Sequence, residues 1–159
     1  MRRQCGDYDC GPTALANAFE VHHRRVGLRG LRHVCGTTEA LGTDEDGLKR
    51  ALALYAGGWD EHAGDDPRAA RAWLDASLAA GRPAVLCVDR WQHWVTAVGA
   101  IGGQYVVYDP ARETGGTYAL RFSALRRRWE AARRVRREGG APGVRFYALS
   151  VGSPMSSAM

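Results

Sequence analysis

Two cysteines lie close together in the segment QCGDYDCGPTAL, which runs from Gln4 to Leu15. Cys10 is followed by Gly-Pro and then by apolar residues at helical spacing, so we expect a helix over residues 10–20. Proline suits a first helical turn, where its missing N–H is not needed. Cys10 then lies at a helix N-terminus, a setting that stabilises a thiolate. It could be a packing residue, a metal ligand, a disulfide partner or a nucleophile.

A nucleophilic cysteine also needs a base, and the base needs a group that orients it. Of the five histidines, only His93 lies in a strand-like run, HWVTAVG. The next strand-like run ends in YVVYDP, at Asp109 and Pro110. A carboxylate at the end of a strand, beside a strand that carries a histidine, is what a Cys-His-Asp triad requires.

The other cysteines suggest no chemistry of their own. The sequence has no CxxC pair, and the spacing of Cys5 and Cys10 does not suit a zinc site. We therefore expect no metal. Cys5, Cys35 and Cys87 are interpreted as small buried residues, and a regulatory disulfide between Cys5 and Cys10 stays open as an alternative.

Helices and strands that could position these residues follow in two blocks. Helical patterns occupy GTDEDGLKRALALY, with Thr43 or Asp44 as the cap, and DDPRAARAWLDASLAAG, with Asp66 as the cap and Pro67 in the first turn. Four runs rich in β-branched and aromatic residues then predict strands: PAVLCVD, HWVTAVGAI, QYVVYD and VRFYALSVG. Between the last two, a further helix is predicted to start at Ser123.

This order predicts an α+β fold in which N-terminal helices pack on a C-terminal antiparallel sheet. We expect one domain over residues 1–152 and a flexible tail over 153–159. A triad would constrain the strand register. A regular two-residue turn at Gly102-Gly103 would set Thr96 opposite Asp109, with the carboxylate pointing away from His93. We therefore expect a longer, odd-numbered loop, or a β-bulge that restores the phase.

Composition limits the classes of function. The chain has 159 residues, a net charge of +5 and a single lysine, Lys49. No apolar stretch is long enough to span a membrane, so we expect no membrane span and a cytoplasmic location. The arginines from Arg126 to Arg137 predict a solvated helix that lies away from the cleft and is dispensable for chemistry. A nucleic-acid surface is the less favoured interpretation, because no aromatic interleaving or recognised motif supports it.

Taken together, the motifs resemble those of papain-like cysteine peptidases, and among these the bacteriocin-processing peptidases that cleave after a double-glycine leader. The resemblance rests on Gln4 six residues before Cys10-Gly11, and on His93 sixteen residues before Asp109-Pro110. It covers most of the chain up to about residue 151. It implies that Cys10 is the nucleophile, His93 the base and acid, Asp109 the orienting group and Gln4 an oxyanion donor, with no cofactor.

Best-known members of that family are fused to a transmembrane exporter, whereas this sequence shows none. The main hypothesis is a stand-alone cysteine peptidase that acts on a peptide or protein substrate, with a separate exporter or precursor peptide as a partner. One alternative passes the acyl group to an amine or thiol. Others are a non-catalytic peptide-binding module and an antibacterial effector toxin.

Overall fold

The structure, a computed structural model, describes residues 1–6, 8–130 and 144–153. Within them no helix has both the length and the apolar character needed to cross a bilayer. The elements, in chain order, are α1 (Cys10–Val21), α2 (Leu28–Cys35), α3 (Glu45–Tyr55), β1 (Trp59–Gly64), α4 (Pro67–Ala79), β2 (Ala84–Val88), β3 (His93–Ile101), β4 (Gln104–Asp109), β5 (Gly116–Arg121), α5 (Phe122–Glu130) and β6 (Phe146–Val151).

The strands form one six-stranded sheet in the order β1-β6-β2-β3-β4-β5, and every neighbouring pair is antiparallel. The predicted α+β class is confirmed. One strand, β1, precedes α4, so the helices and strands are less segregated than expected. It is an edge strand of largely exposed residues, and such a strand needs no apolar run to form.

Helix α1 is buried along most of its length, with Leu15 and Phe19 fully inaccessible. It packs against β3, where the Thr96 hydroxyl donates a hydrogen bond of 2.7 Å to the Ala14 carbonyl. Long side chains around α1 would hold it off the sheet, and its many alanines allow the close approach. The predicted helix over 10–20 is confirmed, and its first residue is Cys10.

Both predicted aspartate caps are present. The Asp44 carboxylate accepts a hydrogen bond of 2.8 Å from the Gly47 N–H, and Asp66 accepts one of 3.0 Å from Arg68. Helix α2 escaped prediction because it buries only Leu31 and Cys35, one turn apart. A single pair of apolar residues gives little periodic signal.

The hairpin between β3 and β4 decides the register around the predicted triad. Ile101 pairs with Gln104 across a two-residue turn, in which Gly102 and Gly103 both adopt positive φ angles. The expectation of a longer loop is therefore wrong. The alternative of a bulge is confirmed: the register shifts between Ala97 and Gly99, and Thr96 then faces Tyr108. One step further along the pair, Val95 falls opposite Asp109.

Helix α5 begins at Phe122, one residue earlier than the predicted start at Ser123. Leu125 and Trp129 are buried, and the Trp129 indole donates a hydrogen bond of 2.9 Å to the Tyr147 carbonyl. The rest of the predicted arginine helix, through Arg137, lies outside the described residues, as do the last six residues of the predicted tail.

Candidate active site

Cys10 stands at the start of α1 with only 5 % of its surface exposed. The preceding residue, Asp9, is buried, and its carboxylate accepts two hydrogen bonds, of 2.8 and 2.6 Å, from the Arg32 guanidinium of α2. A buried carboxylate without a partner would repel a thiolate beside it. Arg32 neutralises that charge and also ties α2 to the helix that carries the cysteine.

His93 and Asp109 meet across the β3–β4 pair. The His93 Nε2 atom lies 2.5 Å from the Asp109 Oδ1 atom, and the Cys10 side chain lies close enough to His93 to raise the pKa of the imidazole. Since Nε2 faces the carboxylate, Nδ1 is the ring nitrogen left for the thiol. The bulge in β3 makes this contact possible, because it turns Asp109 to the face of the sheet that carries His93.

Opposing effects set the charge on the imidazole. Burial by itself would lower the pKa of His93, but the hydrogen bonds to Asp109 and Cys10, together with their negative charges, raise the pKa to about 9. Burial would raise the pKa of Asp109, yet hydrogen bonds from His93, the Ala111 N–H and Tyr118 hold it well below its usual range. At neutral pH the arrangement is therefore a protonated imidazole between the Asp109 carboxylate and the Cys10 sulfur.

The backbone of Gln4 places this residue beside the segment that follows Asp109. Its N–H donates a hydrogen bond of 2.8 Å to the Pro110 carbonyl, one residue beyond Asp109. The side chain is buried, and its Oε1 atom has no hydrogen-bond partner within the described part of the chain. A buried side-chain amide whose oxygen has no partner among the described residues remains available to a ligand.

Three residues of this site gave no signal in the sequence. Tyr118 lies on β5, an edge strand that was not predicted, and its hydroxyl donates a hydrogen bond of 2.8 Å to the Asp109 Oδ2 atom. Arg128 of α5 bonds to the Tyr118 hydroxyl and lies 3.5 Å from Asp109 Oδ2. It also pairs with Asp89. The expectation that the arginine-rich helix lies away from the site is therefore wrong at Arg128, and nothing in a run of arginines marks which one turns inward.

Beside Cys10 lies a cleft of about 670 Å³. Three aromatic residues, Tyr8, Trp91 and Trp94, are among those that line it, together with the 88 %-exposed Leu41. The Trp94 indole donates a hydrogen bond of 3.0 Å to the Thr43 carbonyl, which fixes one wall.

All four cysteines are free thiols in the structure, and their settings differ. Burial raises the pKa of Cys35 to about 12, and Cys87 is fully inaccessible. Cys5 is exposed rather than buried, and no hydrogen bond joins it to a histidine among the described residues. We expect iodoacetamide at mildly acidic pH to alkylate Cys10 first, because His93 stabilises its thiolate form. Peptide mapping of the alkylated protein checks this, and equal labelling of Cys5 or Cys35 would contradict it.

The fold, with helix α1 packed on an antiparallel sheet, is similar to that of solved peptidase domains. The peptidase domain of Streptococcus ComA, a bi-functional ABC transporter involved in a quorum-sensing pathway, superimposes with a TM-score of 0.64. The two are 17 % identical, and the match covers 96 % of this chain and 97 % of that one.

A double-glycine motif protease from an AMS/PCAT transporter, solved in complex with its leader peptide, gives a TM-score of 0.63 at 17 % identity. That match covers 94 % of this chain and 89 % of the other. The peptidase domain of Streptococcus mutans ComA gives 0.56, also at 17 % identity, over 94 % and 95 % of the two chains. No family model matches the sequence, and no curated protein sequence matches it.

Proposed function

We propose that the chain is a cysteine peptidase that cleaves a peptide bond through an acyl-enzyme on Cys10. The observation that carries the proposal is the position of His93, which forms a hydrogen bond with Asp109 and interacts with the Cys10 side chain closely enough for its pKa to be raised. Asp109 fixes the ring and stabilises its positive charge. A thiol, an imidazole and a carboxylate in this order are the groups that acyl transfer requires.

In the proposed reaction the Cys10 thiolate, whose proton is held by His93 as an imidazolium, attacks the carbonyl carbon of the scissile bond. The oxyanion that forms accepts hydrogen bonds from the Cys10 N–H and from the Gln4 side-chain amide. The carbon–nitrogen bond then breaks, and His93 gives its proton to the departing amine. His93 next takes a proton from water, which attacks the thioester and releases Cys10. Each step uses the chain's own residues, so the proposal includes no metal or organic cofactor.

For the substrate, we propose a peptide cleaved after a Gly-Gly pair. Two facts support this: the solved relatives include a double-glycine protease bound to its leader peptide, and bulky rings line the cleft beside Cys10. In this proposal the rings narrow the acyl side of the cleft, so that it admits glycine and excludes larger residues. The proposal extends to a stand-alone enzyme in the cytoplasm, with a precursor peptide as substrate, a separate exporter as partner and no role for nucleic acid.

A fluorogenic peptide, benzyloxycarbonyl-Gly-Gly-aminomethylcoumarin, tests this function, with the Ala-Ala analogue as the matched control substrate. We expect the wild-type chain to release coumarin from the Gly-Gly peptide and Cys10→Ala to release none. Mass spectrometry of the product, with methylamine added, separates hydrolysis from acyl transfer: hydrolysis gives the free acid and transfer gives the methylamide. Binding of the peptide without any cleavage would contradict the proposal and favour a non-catalytic module.

A further inference from the structure

All three nitrogen atoms of the Arg128 guanidinium group donate hydrogen bonds. Its Nε and Nη2 atoms donate hydrogen bonds of 3.0 and 2.7 Å to the two carboxylate oxygens of Asp89. Its Nη1 atom donates to the Tyr118 hydroxyl, and Nη2 also lies 3.5 Å from Asp109 Oδ2. The side chain is 29 % exposed, so these contacts are partly shielded from water. One side chain thus joins a residue of the predicted triad to a second acidic residue elsewhere.

That second residue, Asp89, opens a turn of unusual shape. Asp89, Arg90 and Trp91 have φ angles of 55°, 60° and 64°, so three consecutive residues that are not glycine adopt the left-handed conformation. This conformation is uncommon for such residues and has to be held by neighbours. Arg128 stabilises this conformation through two contacts. Its guanidinium group binds the Asp89 carboxylate, and the backbone carbonyl of Arg128 accepts a hydrogen bond of 3.0 Å from the Asp89 N–H.

The turn forms one wall of the cleft. Trp91 lines the cleft beside Cys10, and its ring centroid lies 5.0 Å from that of Tyr147 and 6.1 Å from that of Trp94. A change in the turn would move the indole and alter the space that a substrate side chain can occupy. The two hydrogen bonds between Arg128 and Asp89 therefore influence how a substrate side chain fits in the cleft.

Tyr118 carries the other half of the connection. Its hydroxyl accepts a hydrogen bond from Arg128 and donates one to Asp109 Oδ2, whereas Oδ1 faces His93 and the Ala111 N–H. With donors on both oxygens, the Asp109 carboxylate cannot rotate away from the imidazole. Burial and the hydrogen bond to Asp109 raise the pKa of Tyr118 to about 12, so the hydroxyl keeps its proton at neutral pH.

We propose that Arg128 is a positioning residue that serves the site in two ways: through Tyr118 it fixes the Asp109 carboxylate for His93, and through Asp89 it fixes the turn that places Trp91 in the cleft. This inference rests on the proposed peptidase function. Lysine could not replace it, because a single ammonium group cannot reproduce a planar fork that reaches Asp89 and Tyr118 at once.

Because the two connections diverge from Arg128, kinetics can separate them. With the Gly-Gly coumarin peptide, we expect Tyr118→Phe to lower kcat about 10-fold with little change in KM, because Asp109 loses orientation. We expect Asp89→Asn to raise KM about threefold with little change in kcat, since asparagine tolerates the left-handed turn but weakens the fork. Arg128→Met should show both effects, and Arg128→Lys should restore neither.

Arg126→Met is the matched control. Arg126 lies two residues earlier on α5 and pairs only with Glu130 among the contacts described, so the same substitution there should leave kcat and KM within about twofold. In an Asp109→Ala background, Tyr118→Phe should cost nothing more, because it acts through Asp109. A full additional loss in that background, or wild-type kinetics for Arg128→Met, would overturn the proposal.

Alkylation of Cys10 by iodoacetamide at mildly acidic pH gives a readout that does not depend on peptide cleavage. Tyr118→Phe and Arg128→Met should slow it, and Asp89→Asn should not. If the wild-type chain cleaves no peptide while these alkylation rates hold, the proposed function fails but the positioning of Asp109 by Arg128 and Tyr118 stands. Unchanged alkylation rates in Tyr118→Phe and Arg128→Met would overturn that positioning, whatever the peptide assay shows.

Discussion

Replacing His93 by alanine lowers kcat for the Gly-Gly coumarin peptide by an expected factor of about 10⁴ or more, because a nucleophile and its base act as one unit. In the proposed mechanism the change removes the positive charge beside the Cys10 sulfur and the proton donor for the leaving amine. Asp109 remains but has no imidazole to orient. Steady-state kinetics, with folding checked by circular dichroism, measures the loss.

His33→Ala is the matched control, since His33 is exposed on α2 and should leave kcat unchanged. The wild-type pH profile tests the role of His93 independently. The pKa of His93 is raised from 6.5 to about 9, so its imidazolium form persists through neutral pH and is lost as the pH rises through about 9. The kcat/KM profile should therefore fall on its alkaline side near pH 9. An active His93→Ala enzyme, or a fall near pH 6.5, would exclude His93 as the base.

Gln4→Ala should keep its fold and lose roughly 10²-fold or more in kcat, because it removes one donor to the oxyanion. The fold should survive because the Gln4 contact to Pro110 is made by the backbone N–H, which alanine retains. The side-chain Oε1 atom has no partner within the described residues, so removing it breaks no hydrogen bond there. The thermal unfolding midpoint and kcat together measure the two effects.

Gln104→Ala serves as the comparison, since Gln104 lies at the far turn of the β3–β4 hairpin and should affect neither quantity. Activity of Gln4→Ala within a factor of about two of wild type would remove Gln4 from the oxyanion site. A large loss of thermal stability would show that the amide has a structural role instead.

How far the sequence predicts this site depends on where its residues lie along the chain. Cys10 could be predicted because a helix pattern starts directly after it, and His93 and Asp109 because each lies at an end of an apolar strand. The requirement that they meet then restricted the register, and one of the two solutions allowed, a bulge, is the one present. The turn length was wrong because the bulge removes the need for a longer loop.

Residues that support the triad could not be found in the same way. Tyr118 lies on an edge strand with alternate exposed residues, which needs no apolar pattern. Arg128 is one of three consecutive arginines, and only the packing of Leu125 and Trp129 into the core decides which of the three turns toward Asp109. The left-handed turn at Asp89 leaves no mark either, because it is held by contacts remote in sequence.

The position of β6 has a consequence for how the molecule is made. This strand is the last one described in the chain, yet it lies between β1 and β2, pairing Trp59 with Val151 and Val85 with Leu149. During synthesis Cys10 emerges first, but the sheet that carries His93 lacks an inner strand until residues 146–151 have followed. Contacts so distant in sequence form late in folding. The proposed nucleophile is thus made long before the sheet that carries its proposed base is complete, so we expect a growing chain to lack an assembled site until synthesis is nearly finished.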